Sequence, residues 1–99
     1  MSGTAPVEPD GSSTSGDAAT QTRRCFAIIL AAIGELGGSA ADVVRTRMFI
    51  TDPADGEAVG AVHGELFGDV RPASTMVVVA ALLRPEWLIE IEADAVLAA

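Results

Sequence analysis

The sequence predicts one α+β domain in which two helices cover a single face of a small mixed sheet. Two stretches carry apolar residues at the 3.6-residue period of a helix, and three others are rich in β-branched residues, as strands are. The 99 residues, 49% hydrophobic and 20% charged, have the composition of one globular domain. Because two helices cannot cover both faces of a sheet, we expect a closed homo-oligomer to cover the second face.

The first helix is predicted over about residues 18–36. Ser15 or Asp17 provides its N-cap, and Gly37 and Gly38 end it, since glycine readily adopts the left-handed conformation of a C-terminal cap. Its apolar stripe is predicted to contain Phe26, Ile29, Leu30, Ile33 and Leu36.

The second helix is predicted over about residues 57–67, after a turn that contains Pro53 and Gly56. Its buried stripe is predicted to contain Ala58, Val59, Val62, Leu66 and Phe67. Glycines recur every four residues along this stretch, a spacing that favours close helix packing over phosphate binding: Gly56, Gly60, Gly64 and Gly68.

Strands are predicted over residues 43–50, 74–82 and 87–96. The second strand is apolar on both faces, which is typical of a strand that is covered on both sides. On one face of the first strand we expect Val44, Thr46, Met48 and Ile50. On the sheet face without helices we expect apolar and charged residues side by side: Met76, Val78, Arg45, Arg47, Glu90 and Glu92.

The first 16 residues are rich in glycine, serine, threonine and proline, a composition that predicts a mobile tail ahead of the domain formed by residues 17–99. The segment from Ser2 to Val7 differs from ordinary tail composition, and we interpret it as the end of a strand whose beginning is missing.

Charge and hydropathy disfavour both a nucleic-acid partner and insertion into a membrane. The formal net charge is −8, with six arginines and no lysine, so a nucleic-acid partner is not expected. The longest apolar run, residues 25–34, is too short to cross a bilayer, and the N-terminus has no signal-peptide pattern. A single cysteine cannot form an intrachain disulfide, which agrees with a cytoplasmic location.

Few side chains in this sequence are candidates for catalysis or for metal binding. His63 is the only histidine and Cys25 the only cysteine, so neither a metal site nor a cofactor is expected, and Cys25 is interpreted as a core residue rather than a nucleophile. Glu90 and Glu92 lie two residues apart on a strand and therefore share a face. They are either solvated or ion-paired, or one of them is an acid or base in a cleft between subunits.

Four segments resemble motifs of the Rid family, also called the YjgF or L-PSP endoribonuclease family. Residues 41–52, ADVVRTRMFITD, are similar to its "D-I-V-K-T-x-V-F-V-x-D" strand, and residues 71–77, RPASTMV, to its "R-P-A-R-T-x-V" segment. Residues 88–96, LIEIEADAV, resemble its C-terminal "V-x-I-E-I-E-A-x-A-V" strand, and Ser2-Gly3 resembles the end of its "V-F-V-S-G" strand.

The resemblance implies a chorismate-mutase-like fold, with element order β-α-β-α-β-β, and a homotrimer that binds a small metabolite in clefts between subunits. Many members hydrolyse reactive enamines and imines to ammonia and a 2-keto acid. In those members the second arginine of "R-P-A-R" clamps the substrate carboxylate, and the first glutamate of "I-E-I-E-A" orients water or transfers a proton. The matching glutamate of this chain is Glu90.

The chain departs from the family pattern at two places. Ser74 stands where the clamp arginine would be, so the usual deaminase substrates are not expected, and Ser74, Thr75 and Arg71 become the candidate substrate-binding residues. The first family strand and most of the second are not in this sequence, either because translation starts further upstream or because the cleft is reduced. The alternative function is a non-catalytic binding or regulatory module. Endoribonuclease activity is disfavoured by the acidic charge.

Overall fold

The computed structural model describes residues 1–98 and confirms the α+β class, with two helices on one face of a mixed three-stranded sheet. The strand order is β2-β1-β3, with β1 parallel to β2 and antiparallel to β3. No helix within residues 1–98 is long and apolar enough to span a membrane. The elements are α1 (Ala18–Glu35), β1 (Val43–Ile50), α2 (Gly56–Phe67), β2 (Ala73–Val78) and β3 (Ile89–Ala95), with 3₁₀ turns at Ala40–Asp42 and Pro53–Asp55.

Helix α1 begins and ends at the residues that the sequence indicates. The Asp17 carboxylate accepts hydrogen bonds from the backbone N–H and the hydroxyl of Thr20, at 2.9 and 2.8 Å. At the other end Gly37 adopts a φ of +91°, and the Gly38 N–H donates to the carbonyl of Ile33 at 3.0 Å. The prediction that Leu36 belongs to the buried stripe is wrong, because this residue caps the helix and its side chain is 76% exposed.

Helix α2 buries a narrower stripe than the sequence suggests. Its buried residues are Val59, Val62 and Phe67, whereas Ala58 is exposed, which contradicts the prediction. The close packing predicted for the glycines is also wrong for Gly60 and Gly64, since a Cβ atom at either position would meet nothing within 4 Å. Both glycines lie on the solvent side of the helix, so their spacing does not reflect a helix contact.

Strand β1 contains a β-bulge that the alternation pattern did not predict. Its register with β3 shifts between Val43 and Arg45, so that Val43 is buried and Val44 is 47% exposed. The expectation that Val44 shares a face with Thr46 is therefore wrong. From Thr46 onwards the predicted alternation holds, with Thr46, Met48 and Ile50 buried under the helices.

Strand β2 ends earlier than predicted because its partner ends. The N–H of Val79 donates to the carbonyl of Ile50, the last residue of β1, and residues 80–82 have left the strand. The register pairs Met48 with Met76, which places Met76 and Val78 on the helix-covered face. Their predicted position on the opposite face is wrong, and Val77 lies there instead.

Strand β3 alternates as predicted, with Ile89, Ile91 and Ala93 buried and the intervening acids pointing away from the helices. Its outer edge carries the N-terminal segment: Thr4 and Ile91 exchange two backbone hydrogen bonds, of 2.7 and 3.0 Å. The mobility of residues 1–16 stays a prediction.

The core lies between the helices and the sheet, and Cys25 belongs to it. Its side chain is fully buried, and burial, followed by the negative charge of Glu90, raises the pKa of the thiol to about 12. A thiol that remains protonated at neutral pH is a poor nucleophile, so the interpretation of Cys25 as a core residue is confirmed.

Candidate functional site

The sheet face away from the helices, called the open face below, is built from cross-strand rows. One row pairs Arg47 with Glu92, and their side chains form an ion pair in which Arg47 Nη2 lies 3.4 Å from Glu92 Oε2. The next row pairs Phe49 with Glu90. Because side chains alternate along a strand, both glutamates project from this face into solvent rather than into the core. The open face is formed by Arg45, Arg47, Phe49, Thr75, Val77, Glu90, Glu92 and Asp94.

Glu90 and Glu92 differ in their surroundings. Glu92 has Arg47 as its cross-strand neighbour, whereas Glu90 lies opposite an aromatic ring, and within residues 1–98 no arginine is paired with it. A carboxylate without a cationic partner keeps its lone pairs available for a substrate proton or a water molecule. Of the two acids, Glu90 therefore has the surroundings that proton transfer requires.

The backbone of Gly3 forms one side of the Glu90 position. A Cβ atom added to Gly3 would lie 2.7 Å from Glu90 Oε1, which is closer than Cβ contacts allow. Gly3 is held there because the neighbouring residue, Thr4, is hydrogen-bonded to Ile91 of β3. The absence of a side chain at residue 3 thus leaves the space that the Glu90 carboxylate occupies.

A cavity of about 240 Å³ opens beside these carboxylates. Its apolar wall comes from Phe49 and from Val79, Ala81 and Leu82, which follow the end of β2. A space of this size suits a metabolite smaller than the ligands of typical pockets, which occupy roughly 300–1,000 Å³. The cavity is lined by Gly3, Phe49, Val79, Ala81, Leu82, Glu90 and Glu92.

The other candidate residues are distributed over both sides of the sheet. Thr75 pairs with Arg47 and lies on the open face, as Glu90 does. Ser74 pairs with Thr46 and lies on the helix side, so one protomer does not bring Ser74 and Glu90 together. Arg71 is exposed in the loop before β2, where it adopts a φ of +55°, a left-handed conformation that is unusual for a non-glycine residue.

Ser74 is instead the outer end of a hydrogen-bond chain. Thr46 Oγ1 donates to Ser74 Oγ at 3.1 Å and lies 2.8 Å from Nε2 of His63. The imidazole packs edge-on against Phe26 and tilted against Phe67, and its burial lowers the pKa of His63. Neutral His63 is therefore the form that Thr46 meets at neutral pH.

The sequence alone did not identify several residues that form the cavity or the hydrogen-bond chain of Ser74, Thr46 and His63. Gly3 could not be assigned to the cavity because it lies far along the chain from Glu90, and residues 79–82 could not because they were predicted to continue a strand that ends at Val78. The link from His63 to Thr46 had a weak signal, since His63 borders the apolar stripe of α2 and a buried threonine on β1 needs a partner. Within residues 1–98 no three His, Cys, Asp or Glu side chains cluster as metal ligands do.

Comparison with known proteins places this chain in a family. A family model described as endoribonuclease L-PSP matches residues 1–97. The chain belongs to this family. The resemblance found in the sequence motifs is therefore confirmed, and the fold agrees with solved structures of the YjgF and Rid proteins.

Two solved structures illustrate the agreement in fold. Rv2704 of Mycobacterium tuberculosis, a YjgF/YER057c/UK114 family member, is 42% identical with a TM-score of 0.88, covering 98% of this chain and 76% of its own. TM0215 of Thermotoga maritima is 36% identical with a TM-score of 0.93, covering all of this chain and 78% of its own.

Two further proteins are similar to this chain in sequence. The 3-aminoacrylate deaminase RutC of Acinetobacter baylyi is 42% identical over 76 residues, which are 77% of this chain and 60% of the relative. An uncharacterized protein of Streptomyces coelicolor is 35% identical over 95 residues, which are 96% of this chain and 71% of the relative. The chain thus spans less than two thirds of the length of the deaminase.

Proposed function

We propose that this protein hydrolyses small reactive enamines or imines, with release of ammonia, in clefts between the subunits of a homotrimer. One observation carries the proposal: among residues 1–98 no cationic side chain pairs with Glu90, and this residue lines a small cavity on the open face, where Gly3 leaves room for its carboxylate. The similarity to a 3-aminoacrylate deaminase supports the same reaction class.

Glu90 can perform the proton transfers that such a hydrolysis needs. An enamine first takes a proton from solvent at carbon and becomes an iminium ion. Water then adds to the iminium carbon while the carboxylate of Glu90 accepts one water proton, which gives a carbinolamine. Glu90 passes this proton to the amine, the carbon–nitrogen bond breaks, and the hydroxyl proton of the carbinolamine is released to solvent as the carbonyl forms. The products are ammonia and a carbonyl compound, and Glu90 returns to its ionised form.

Association of copies would enclose the cavity. The open face combines ion-pairing residues with apolar ones: Val77 is 40% exposed and Phe49 is half-buried in the isolated chain. Covering Val77 and Phe49 removes apolar surface from water, at about 25 cal/mol per Å². A second copy over this face would also exclude bulk water from Glu90, which strengthens its electrostatic interaction with a bound imine.

Replacement of Glu90 tests the function. Glu90→Gln keeps the size of the side chain but removes the proton acceptor, so we expect ammonia release to fall by about 10²- to 10⁴-fold, the usual range for loss of a general acid–base group. Ammonia is measured with two imine substrates generated in situ, one carrying a carboxylate and one neutral.

Glu92→Gln is the matched control for Glu90→Gln, because Glu92 lies two residues away on the same face but is paired with Arg47. We expect a loss at least tenfold smaller than that of Glu90→Gln. Equal loss in the two variants, or a Glu90→Gln variant as active as the unaltered protein, would contradict the assignment.

A non-catalytic binding module is the second candidate, and the serine at position 74 favours it, since a neutral hydroxyl cannot clamp a carboxylate bidentately. The same assay separates the two functions. A binding module would bind small carbonyl compounds without accelerating ammonia release from either imine.

A further inference from the structure

Resting on the proposed function, we propose that Gln21 and Ser13 are positioning residues that fix the apolar wall of the cavity, at residues 79–82. Both connect the turn at residues 84–88, which follows this wall, with the N-terminal segment. A fixed wall limits the space beside Glu90, so the preferred substrates are imines and enamines with a small aliphatic substituent.

The wall segment has few hydrogen bonds of its own. Residues 79–88 connect β2 to β3 without helix or strand, and at their start the Val79 N–H donates to the Ile50 carbonyl at 2.8 Å. Among residues 1–98, no hydrogen bond involves residues 80–83. The position of Ala81 and Leu82 therefore depends on Val79 at one end and on the turn at residues 84–88 at the other.

Gln21 joins this turn to helix α1 and to the N-terminal segment. Its side chain is only 2% exposed. The amide NH₂ donates to the carbonyls of Thr14 and Glu86, at 3.1 and 3.0 Å, and the amide oxygen accepts from the Leu88 N–H at 2.8 Å. The orientation of the amide follows from these partners, since carbonyl oxygens only accept and a backbone N–H only donates. One buried side chain thus satisfies three backbone groups from two segments.

Ser13 binds the same turn from its outer side. Its hydroxyl oxygen accepts from Trp87 Nε1 at 3.0 Å and from Arg84 Nη1 at 3.3 Å, and its hydroxyl proton is donated to Glu86 Oε2 at 3.2 Å. These directions are fixed, because indole and guanidinium nitrogens only donate and a carboxylate only accepts. One hydroxyl therefore bonds to three side chains of the turn.

Glu90 is fixed independently of this turn. Strand β3 pairs with β1, where Glu90 lies opposite Phe49, and on its other edge Ile91 exchanges two hydrogen bonds with Thr4. Loosening of the turn would therefore widen the cavity while Glu90 stays in place. Since one methylene group in an apolar pocket changes specificity by about tenfold or more, a small displacement of the wall alters the substrate preference.

Substrate size tests the role of the wall. Two neutral imines, of three and six carbons, are generated in situ from primary amines by a flavin amine oxidase, whose amount sets the imine concentration. We expect the unaltered protein to release ammonia from the three-carbon imine with a kcat/KM higher by about tenfold or more. Gln21→Met and Ser13→Ala should each lower this preference at least about threefold, through a higher KM for the smaller imine with kcat nearly unchanged.

Matched controls lie next to each of the two residues. Thr22→Val removes a hydroxyl that is equally buried but donates to the Ala18 carbonyl, within α1. Ser12→Ala removes a hydroxyl whose bond to Asp10, at 2.6 Å, stays within the N-terminal segment. Both controls should keep the size preference of the unaltered protein, even where they lower its stability.

Trp87 reports on the turn without any need for catalysis. It is the only tryptophan of the chain, so quenching of its fluorescence by acrylamide measures the access of solvent to the turn. We expect quenching to increase in Gln21→Met and in Ser13→Ala, and to stay unchanged in the two controls. The Gln21 side chain bonds to backbone groups of the turn and not to the indole, so an increase in that variant shows that the turn has moved.

The outcomes separate this inference from the proposed function. If ammonia is released but Gln21→Met and Ser13→Ala keep the size preference, or lose activity equally towards both imines, the two residues are structural and the inference is refuted. Unchanged quenching in Gln21→Met also refutes it, since the turn is then fixed without this residue. If the unaltered protein accelerates ammonia release from neither imine, the proposed function fails for neutral imines and the inferred selectivity fails with it.

Discussion

Glu90 and Glu92 show at the scale of single residues what sequence can and cannot predict. Their two-residue spacing on a strand predicted a shared face, and the structure places both on the open face. The spacing could not predict that Arg47 pairs with Glu92 alone. Cross-strand partners depend on the register between two strands, which cannot be read from the spacing of residues within one strand. Nor could it predict the contact with Gly3, which comes from the far end of the chain.

Gly3→Ala tests the contact that supports Glu90. The added methyl group would meet Glu90 Oε1 at 2.7 Å, and the flexible glutamate side chain will move rather than the backbone. We expect the rate of ammonia release to fall by about tenfold or more, since small displacements of a catalytic group have large effects, with little change in thermal stability. Gly34→Ala, at a position with nothing within 4 Å, should keep the full rate.

Ser74→Arg should extend activity towards carboxylate-bearing imines. A charge-assisted, bidentate pair with the substrate carboxylate contributes about 1.5–3 kcal/mol, so hydrolysis of 2-aminoacrylate-type substrates should rise roughly ten- to a hundredfold. The gain should disappear when Glu90→Ala is added, because the arginine only positions the substrate. A gain that survives the loss of Glu90 would show that the cleft is misplaced.

At the scale of elements, local signals predicted the helices well and the strand ends less well. The N-cap at Asp17 and the glycine cap at Gly37 are properties of a few neighbouring residues, so the sequence contains them. The bulge at Val43 and the end of β2 at Val78 depend on partner strands. Strand β2 stops because β1 stops at Ile50, so the end of β2 cannot be predicted from the residues of β2 alone.

Substitution of glycines in helix α2 tests whether these residues lack close packing contacts. Gly60 lies on the exposed side of the helix with open space around its Cα, so Gly60→Ala should stabilise the protein by about 0.5–1 kcal/mol through helix propensity. Gly68→Ala is the matched comparison, since its Cβ would lie 2.7 Å from the carbonyl oxygen of Gly64, and it should gain less or destabilise. Urea unfolding at fixed protein concentration measures both, and an unstable Gly60→Ala variant would indicate a contact on that side.

At the scale of the whole molecule, the arrangement of layers was predictable and the composition of the site was not. Two amphipathic helices and three strands imply one covered face, and the structure confirms it. The cavity draws on Gly3, Phe49 and residues 79–82 as well as β3, so it exists only after the chain has folded. Ser74 and Glu90 lie on opposite faces, which means that a site using both requires more than one copy.

The mass of the protein in solution tests the central claim, a cleft completed between copies, most directly. Light scattering coupled to size-exclusion chromatography at micromolar concentration should give three times the mass of one chain, because the apolar residues of the open face are then covered. A folded monomer under these conditions would leave Glu90 in an open cavity on a solvated sheet and would contradict the account.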